Sequence, residues 1–152
     1  MEKFFSVYFD LFKSLHQQMK NALNGVSQGG LDFCPGTEMN SMAVLAAHSS
    51  GSARFLIGDI VGGRNSNRDR ASEFQTSGVS GAELIIHLDE TLEIVRSVLE
   101  GLTLQDLHST RISPRDGSQK EVSWCLLHAL EHFGVHTGHV QITRQLWDQQ
   151  PH

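Results

Sequence analysis

The chain has 152 residues, of which 39% are hydrophobic and 19% are charged, and its formal net charge is −5 at pH 7. A chain of this length fits one ordinary domain and can bury a core without disulfide or metal support. The sequence has no stripe of lysine and arginine, which argues against a non-specific nucleic-acid binder. It also has no apolar run of the roughly 18 residues that a membrane span needs.

The cysteines and the N-terminal sequence indicate a compartment. Cys34 and Cys125 are too few and too far apart for a disulfide scaffold, and they suggest free thiols in a reducing environment. The N-terminal sequence MEKFFSVYFDLFK is interrupted by Asp10 and Lys13 and lacks a small-residue cleavage site, so it does not have the pattern of a signal peptide. We therefore expect residues 1–152 to form one domain of a cytoplasmic protein.

The N-terminal part of the chain predicts two helices. Residues 2–24 place an apolar residue every three or four positions, which is the spacing of an amphipathic helix. A loop with several glycines and one proline should follow. Asn40 or Ser41 is a good capping residue for a second helix, which we expect to end at Gly62 and Gly63.

A long polar connection is predicted next, over residues 64–79. It is too long and too charged to belong to a core, and we expect it to lie outside regular helices. Ser80 and Glu83 then form a capping box, which marks the start of a third helix that should end near Gly101.

The C-terminal part of the chain predicts one more helix. Residues 103–122 are expected to be irregular, with a short hairpin around residues 114–117. A long last helix should run from Ser123 to Trp147. Four helices and one polar central connection predict an all-α protein, an up-and-down-like four-helix bundle.

The last helix carries a cluster of histidines, His128, His132, His136 and His139. A helix turns about 100° per residue, so all four project from one face. Two histidines four residues apart can hold one metal ion. The pairs His128/His132 and His132/His136 both have this spacing, and geometry alone leaves both open. Because zinc and similar ions take three or four ligands, a further ligand should come from another helix.

His48 is the best candidate for that further ligand. It shares a face of the second helix with Leu45, Ser52 and Phe55, and this face should point inward. A buried polar group costs about 1–3 kcal/mol if it has no partner, so a histidine there needs a reason. The competing interpretation is that these histidines only form hydrogen bonds or lie at the surface; His16 fits that interpretation better than a ligand role.

Several metal sites can be excluded by motif. No glutamate follows His132, so the general base of an HExxH protease is missing. The absence of any Glu-x-x-His argues against a di-iron carboxylate bundle. No Cys-x-x-Cys is present for a structural zinc knuckle.

The sequence resembles the DinB/YfiT-like four-helix bundles over essentially its whole length. HALEHFGVHTGHVQITRQLW is similar to the last-helix motif of that family, in which a histidine, three residues, another histidine and then x-Gly-Gln or x-Gly-His recur. VLAAHSSGSARFLIGDI is similar to the segment that carries the second-helix ligand, and GGRNSNRDRASEF resembles the loop after it. By this resemblance the metal ligands are His48, His132 and His136, facing an open metal position. His139 stands where many relatives have glutamine.

The resemblance implies a divalent metal ion, zinc or nickel first, with iron or manganese as alternatives. Some relatives use the metal to activate the sulfur of a low-molecular-weight thiol, in S-transfer or isomerisation. We therefore expect a metal-dependent thiol S-transferase or a related hydrolase that is often a homodimer. The alternative is a non-catalytic, metal-binding dimeric bundle with a structural or stress-response role. A closed fourth ligand, such as His128 or Cys125, would favour the structural role.

Three further features have two interpretations each. Cys125 could be a soft ligand, but a small buried hydrophobe is favoured. Arg64, Arg68 and Arg70 could receive an anionic cosubstrate, but a solvated charged loop is favoured. The aromatic residues of the first helix exceed what one core is expected to cover, which would favour a dimer; they are Phe4, Phe5, Tyr8, Phe9 and Phe12.

Overall fold

A computed structural model describes residues 1–151, so His152, the last residue of the predicted domain, lies outside the described residues. Four long helices confirm the predicted all-α bundle: α1 (Lys3–Leu23), α3 (Met42–Ala53), α5 (Gly81–Glu100) and α6 (Val122–Asp148). α3 continues without a break as a π-helical segment, Arg54–Val61. The shorter elements are α2 (Gln28–Leu31), α4 (Arg70–Glu73), a 3₁₀ turn (Leu104–His108), β1 (Thr110–Ile112) and β2 (Gln119–Glu121).

Two of the long helices, α3 and α5, begin where the capping residues predict. The Ser41 hydroxyl accepts a hydrogen bond from the Val44 N–H at 3.2 Å, so Ser41 is the cap of α3. The capping box of α5 is also present, since the Ser80 hydroxyl accepts from the Glu83 N–H and the Glu83 carboxylate accepts from the Ser80 N–H. These side chains satisfy N–H groups that have no partner within the helix.

The parts predicted to be irregular contain short helical turns. Residues 64–79 were expected to lie outside regular helices, but α4 forms there because the Asp69 carboxylate accepts from the Ala71 and Ser72 N–H groups. α2 forms in the first loop in the same way, capped by Ser27. The predicted hairpin is confirmed: β1 pairs antiparallel with β2.

The first and last long helices, α1 and α6, run parallel to each other. Residues near the N-terminus of α1 contact residues near the N-terminus of α6, and the same holds for the two C-terminal ends. The Tyr8 hydroxyl donates to the Leu126 carbonyl near the start of both helices. Near their ends, the Arg144 guanidinium donates to the Ala22 carbonyl at 3.0 Å. α6 therefore lies beside α1 and points in the same direction.

The two middle helices are also parallel to each other, which differs from a simple up-and-down order. Arg54 pairs with Glu90 at 3.0 Å, and two turns later Gly62 lies against Val98. α5 runs antiparallel to α1, so the order of directions is up, down, down, up. The long connection explains the difference, because it carries the chain back along the bundle before α5 begins.

The core absorbs most of the aromatic residues of α1. Phe5, Tyr8, Phe9 and Phe12 are buried, and only Phe4 is exposed, at 41% of its surface. We expected that one core could not cover all five aromatic residues, and this expectation was wrong for four of them.

Among residues 1–151, no helix has the length and apolar composition that a membrane crossing requires.

Candidate metal centre

Three histidines from two helices converge inside the bundle. His48 of α3 and His132 and His136 of α6 can each offer one ring nitrogen, and these three atoms lie within 4.8 Å of one another. His48 Nε2 is 3.1 Å from His132 Nε2, and His136 Nε2 is 3.2 Å from the same atom. His132 and His136 are one helical turn apart, and the packing of α3 against α6 brings His48 next to them.

These distances fit a shared metal ion. A zinc ion binds imidazole nitrogens at about 2.0–2.1 Å in a tetrahedron, which places the nitrogens about 3.3 Å from one another. The two short separations in the cluster, 3.1 and 3.2 Å, are close to that value. Two of the three pairs of ring nitrogens therefore already have nearly the spacing of zinc ligands.

Hydrogen bonding between the rings does not account for the cluster as well as a cation does. His48 Nδ1 lies 2.9 Å from a Glu73 carboxylate oxygen, so Nδ1 carries the proton and Nε2 presents a lone pair to the cluster. His132 Nε2 faces two ring nitrogens but has only one proton or one lone pair to offer. It can make one good hydrogen bond at most, whereas a cation accepts all three lone pairs.

Burial keeps His132 and His136 neutral. Desolvation, followed by the charges that His136, His48 and other neighbours would carry, lowers the pKa of His132 to about 4. Desolvation, followed by the neighbouring His48 and His139, also lowers the pKa of His136 to about 4. Both rings therefore keep a free lone pair at neutral pH, which metal ligation requires.

Glu73 and Arg68 are the site residues that the sequence did not predict. Their side chains are only 10% and 8% exposed, although they belong to the connection that was expected to be solvated. Arg68 grips the Glu73 carboxylate with two hydrogen bonds of 2.6 and 2.8 Å. Burial alone would raise the pKa of Glu73, but the hydrogen bonds from Arg68 and His48 outweigh it and hold that pKa below its ordinary value.

One signal could have placed Glu73 in part. Asp69 is a good N-cap, and it predicts a helical turn that fixes the position of Glu73. Nothing in the spacing linked that turn to His48, which lies 25 residues earlier in the chain.

The other two arginines of the connection are not at the cluster. Arg64 donates to the Ser97 hydroxyl at 2.9 Å, and the Arg70 guanidinium lies 4.8 Å from the centre of the Phe74 ring. The interpretation of all three arginines as a solvated group was wrong for Arg68. Because Glu73 already occupies Arg68, the three do not form a common site for an anion either.

The other histidines of α6 lie outside the three-nitrogen group. His128 stacks on Trp124 and pairs with Glu131 at 3.3 Å, and its ring centre is 5.9 Å from that of His132. The structure thus brings the later pair, not the earlier one, to His48. His139 is exposed, and its Nδ1 lies 3.4 Å from His136 Nδ1.

Cys125 and His16 are not part of the cluster. Cys125 is fully buried in the core, and desolvation raises its pKa to about 11, so it is a protonated hydrophobe at neutral pH. His16 is also buried and lies 3.0 Å from an Asp89 carboxylate oxygen, between α1 and α5. Both outcomes agree with the interpretations that the sequence favoured.

A cavity of about 230 Å³ lies beside the cluster, on the side of His136 and His139. Its other walls come from the loop before α3, from α3 itself and from the end of α6: Glu38, Met39, Asn40, Leu45, Ile142 and Thr143. This space can hold a small ligand next to one of the three histidines.

Comparison with known proteins gives a family and a fold but no activity. No curated protein sequence matches the chain. A crystal structure of "the conserved protein of locus from Enterococcus faecalis" matches with a TM-score of 0.79 and 12% identity, covering 99% of this chain and 100% of that one. At that identity the likeness supports the fold alone. A family model described as "Protein of unknown function (DUF1572)" matches residues 1–151, so the chain belongs to the DUF1572 family.

Proposed function

We propose that this protein is a divalent-metal-dependent enzyme in which His48, His132 and His136 hold the ion and leave one position open. The observation that carries the proposal is the convergence of three histidine ring nitrogens within 4.8 Å. No fourth histidine, cysteine, aspartate or glutamate of the described chain joins that group. Three protein ligands and an open position are typical of catalytic zinc sites, whereas structural sites are closed by four.

The reaction that we favour is S-transfer or isomerisation on a low-molecular-weight thiol, with hydrolysis as a variant. The support is the resemblance of the histidine motifs to the DinB/YfiT-like bundles and the neutral ligand set. A divalent ion held by neutral ligands lowers the pKa of a coordinated water to about 7 and deprotonates a coordinated thiol. The cavity beside His136 supplies space for a small substrate.

Zinc or nickel is the proposed ion, with iron or manganese as alternatives. Imidazole ligands suit zinc, nickel and iron, whereas manganese prefers oxygen ligands. The ligand set contains no oxygen and no sulfur, which favours the first three of these ions.

The alternative function is a non-catalytic, metal-binding bundle in which the ion only ties α3 to α6. This role would be favoured by a closed site. Cys125 and His128 were the two candidates for a closing ligand, and both lie outside the three-nitrogen group. We therefore prefer the catalytic proposal.

We also propose a homodimer that forms through α1, as the sequence suggested, but through its exposed apolar side chains and not through its buried aromatic ones. Apolar side chains on one side of α1 are exposed, Phe4, Val7 and Leu11, and Leu127 of α6 is 60% exposed. α1 packs along α6 in parallel, with Tyr8 bonded to the Leu126 carbonyl and Leu15 against Gly134. Exposed apolar patches of this kind are typical of protein–protein contacts.

The function is tested by metal analysis of untagged protein, followed by activity assays with several thiols and electrophiles. We expect close to one zinc or nickel ion per chain and a thiol-dependent activity that the His136→Ala variant lacks. A metal-free protein that does not take up either ion on dialysis would refute the proposal. Stoichiometric metal without any activity would favour the non-catalytic alternative.

A further inference from the structure

Glu73 reaches a metal-ligand candidate from a different part of the chain. His48 belongs to α3, while Glu73 ends the short helix α4 within the central connection. The carboxylate lies 2.9 Å from His48 Nδ1, on the side of the ring that faces away from the other two histidines. Because a carboxylate only accepts hydrogen bonds, this contact fixes the proton of the neutral ring on Nδ1.

The position of the carboxylate is fixed by two further features. Arg68 holds both of its oxygens through a two-point contact, and such contacts restrict orientation more than a single hydrogen bond does. Gly51 leaves the space in which the carboxylate lies, since a Cβ atom at Gly51 would collide with the Glu73 side chain. The surface of α3 is therefore shaped for this carboxylate.

Three of the hydrogen-bonded contacts that hold the central connection to the bundle involve a carboxylate, and Glu73 supplies the middle one. At the start, the Ser66 N–H and hydroxyl donate to the buried Asp59 carboxylate. At the end, the Gly78 N–H donates to Asp32, at 3.1 and 3.2 Å from its two carboxylate oxygens. Of these three contacts, only the one made by Glu73 reaches the histidine cluster.

We propose that Glu73 is a positioning residue for the metal centre. It holds His48 as the tautomer with the proton on Nδ1, so that the Nε2 lone pair faces the ion, and Arg68 holds Glu73 in place. Histidines that bind metals usually donate their other N–H to a carboxylate or a carbonyl, which orients the ring and makes it a better ligand. This inference rests on the proposed metal binding, and it implies that metal binding also orders the connection around Glu73.

The first test needs no metal. Nitrogen-15 NMR of the metal-free protein reports which ring nitrogen of His48 carries the proton. We expect Nδ1–H in the natural protein and a mixture of both tautomers in the Glu73→Gln variant, because an amide can donate as well as accept. Glu131→Gln is the matched control, since Glu131 pairs with His128 outside the cluster and its loss should leave His48 unchanged. A His48 with its proton on Nε2 in the natural protein would overturn the inference.

The second test measures zinc affinity. Removal of such an outer partner typically weakens metal binding by roughly 10–100-fold, so we expect that loss for Glu73→Gln and none for Glu131→Gln. Gly51→Ala should displace the carboxylate without changing its charge and should also weaken zinc binding. Its control is Gly138→Ala in α6, where an added Cβ meets nothing within 4 Å.

The outcomes separate this inference from the proposed function. If the natural protein binds zinc through the three histidines but Glu73→Gln and Gly51→Ala bind it equally well, the positioning role is wrong and the function stands. If the natural protein binds neither zinc nor nickel, the proposed function fails together with the role of Glu73 in metal binding. Hydrogen exchange gives a further readout: zinc should slow exchange near Glu73 and leave Ser66 and Gly78 less affected.

Discussion

The row of histidines on α6 has two halves, His128/His132 and His132/His136, which have the same spacing but different surroundings. His128 and His132 are four residues apart, as are His132 and His136. In the first half, His128 lies on Trp124 and beside Glu131, partly in contact with solvent. In the second half, His136 faces His48 across the bundle. Spacing on one helix therefore offers two equivalent sites, and the helix packed against it selects one.

The largest effect is expected from His132→Ala, because His132 contacts both other nitrogens of the cluster. Loss of an outer partner alone typically costs 10–100-fold in metal affinity, so loss of a ligand should cost at least roughly 100-fold. His48→Ala and His136→Ala should show losses of similar size in a zinc titration by calorimetry. Unchanged affinity in any of the three would remove that histidine from the ligand set.

The metal-free protein should lose stability in mild acid because of the buried pair His132 and His136. The pKa of His132 and of His136 is lowered from 6.5 to about 4, so between these values the unfolded chain binds more protons than the folded one. The titration of these two histidines therefore leaves the free energy of unfolding unchanged above about pH 6.5 and lowers it as the pH falls towards 4. Urea unfolding at pH 7, 6 and 5 should show this decline.

Two variants distinguish the contribution of His132 and His136 from that of His128 in the urea experiment. Replacing His132 and His136 together with glutamine should reduce the decline in stability between pH 7 and pH 5. His128→Gln should leave the decline as it is in the natural protein. Equal slopes in all three proteins would show that the buried pair does not titrate as described.

A moderate effect is expected at the proposed dimer surface. Leu11→Glu places a charge among the exposed apolar residues of α1 and should shift a dimer towards monomer in sedimentation experiments. Ile86→Glu is the control, since Ile86 is similarly exposed but belongs to α5. A natural protein that sediments as a monomer of 16.9 kDa at tens of micromolar would contradict the dimer.

The smallest effect is expected from His128→Ala. Its ring lies outside the three-nitrogen group, so zinc affinity should change by less than about threefold, well below the loss expected for a ligand. The pair that it forms with Glu131 is largely exposed, and such pairs contribute about 0–1 kcal/mol to stability. A large loss of affinity in this variant would move the site one turn towards the N-terminus.

The sequence predicted the long helices and the three converging histidines well, because each rests on a local pattern. Ser41 and the Ser80–Glu83 box are local signals for the start of a helix, and the structure uses both. Spacing along α6 limited the ligand pairs to two, and the family resemblance chose the later pair.

What the sequence did not predict depends on contacts between distant parts of the chain. The parallel order of the two middle helices follows from the path of the connection, which no local pattern reports. Arg68 and Glu73 were interpreted as solvated charges. They are buried because they pair with each other and because Glu73 also pairs with His48, which is distant in the sequence. The π-helical continuation of α3 also had no recognised signal.

Anomalous diffraction from crystals of the zinc-loaded protein tests the central claim most directly. The account predicts one zinc peak at about 2.0–2.1 Å from a ring nitrogen each of His48, His132 and His136, with a non-protein fourth ligand. A zinc peak between His128 and His132 would contradict it, and so would a fourth bond to Cys125.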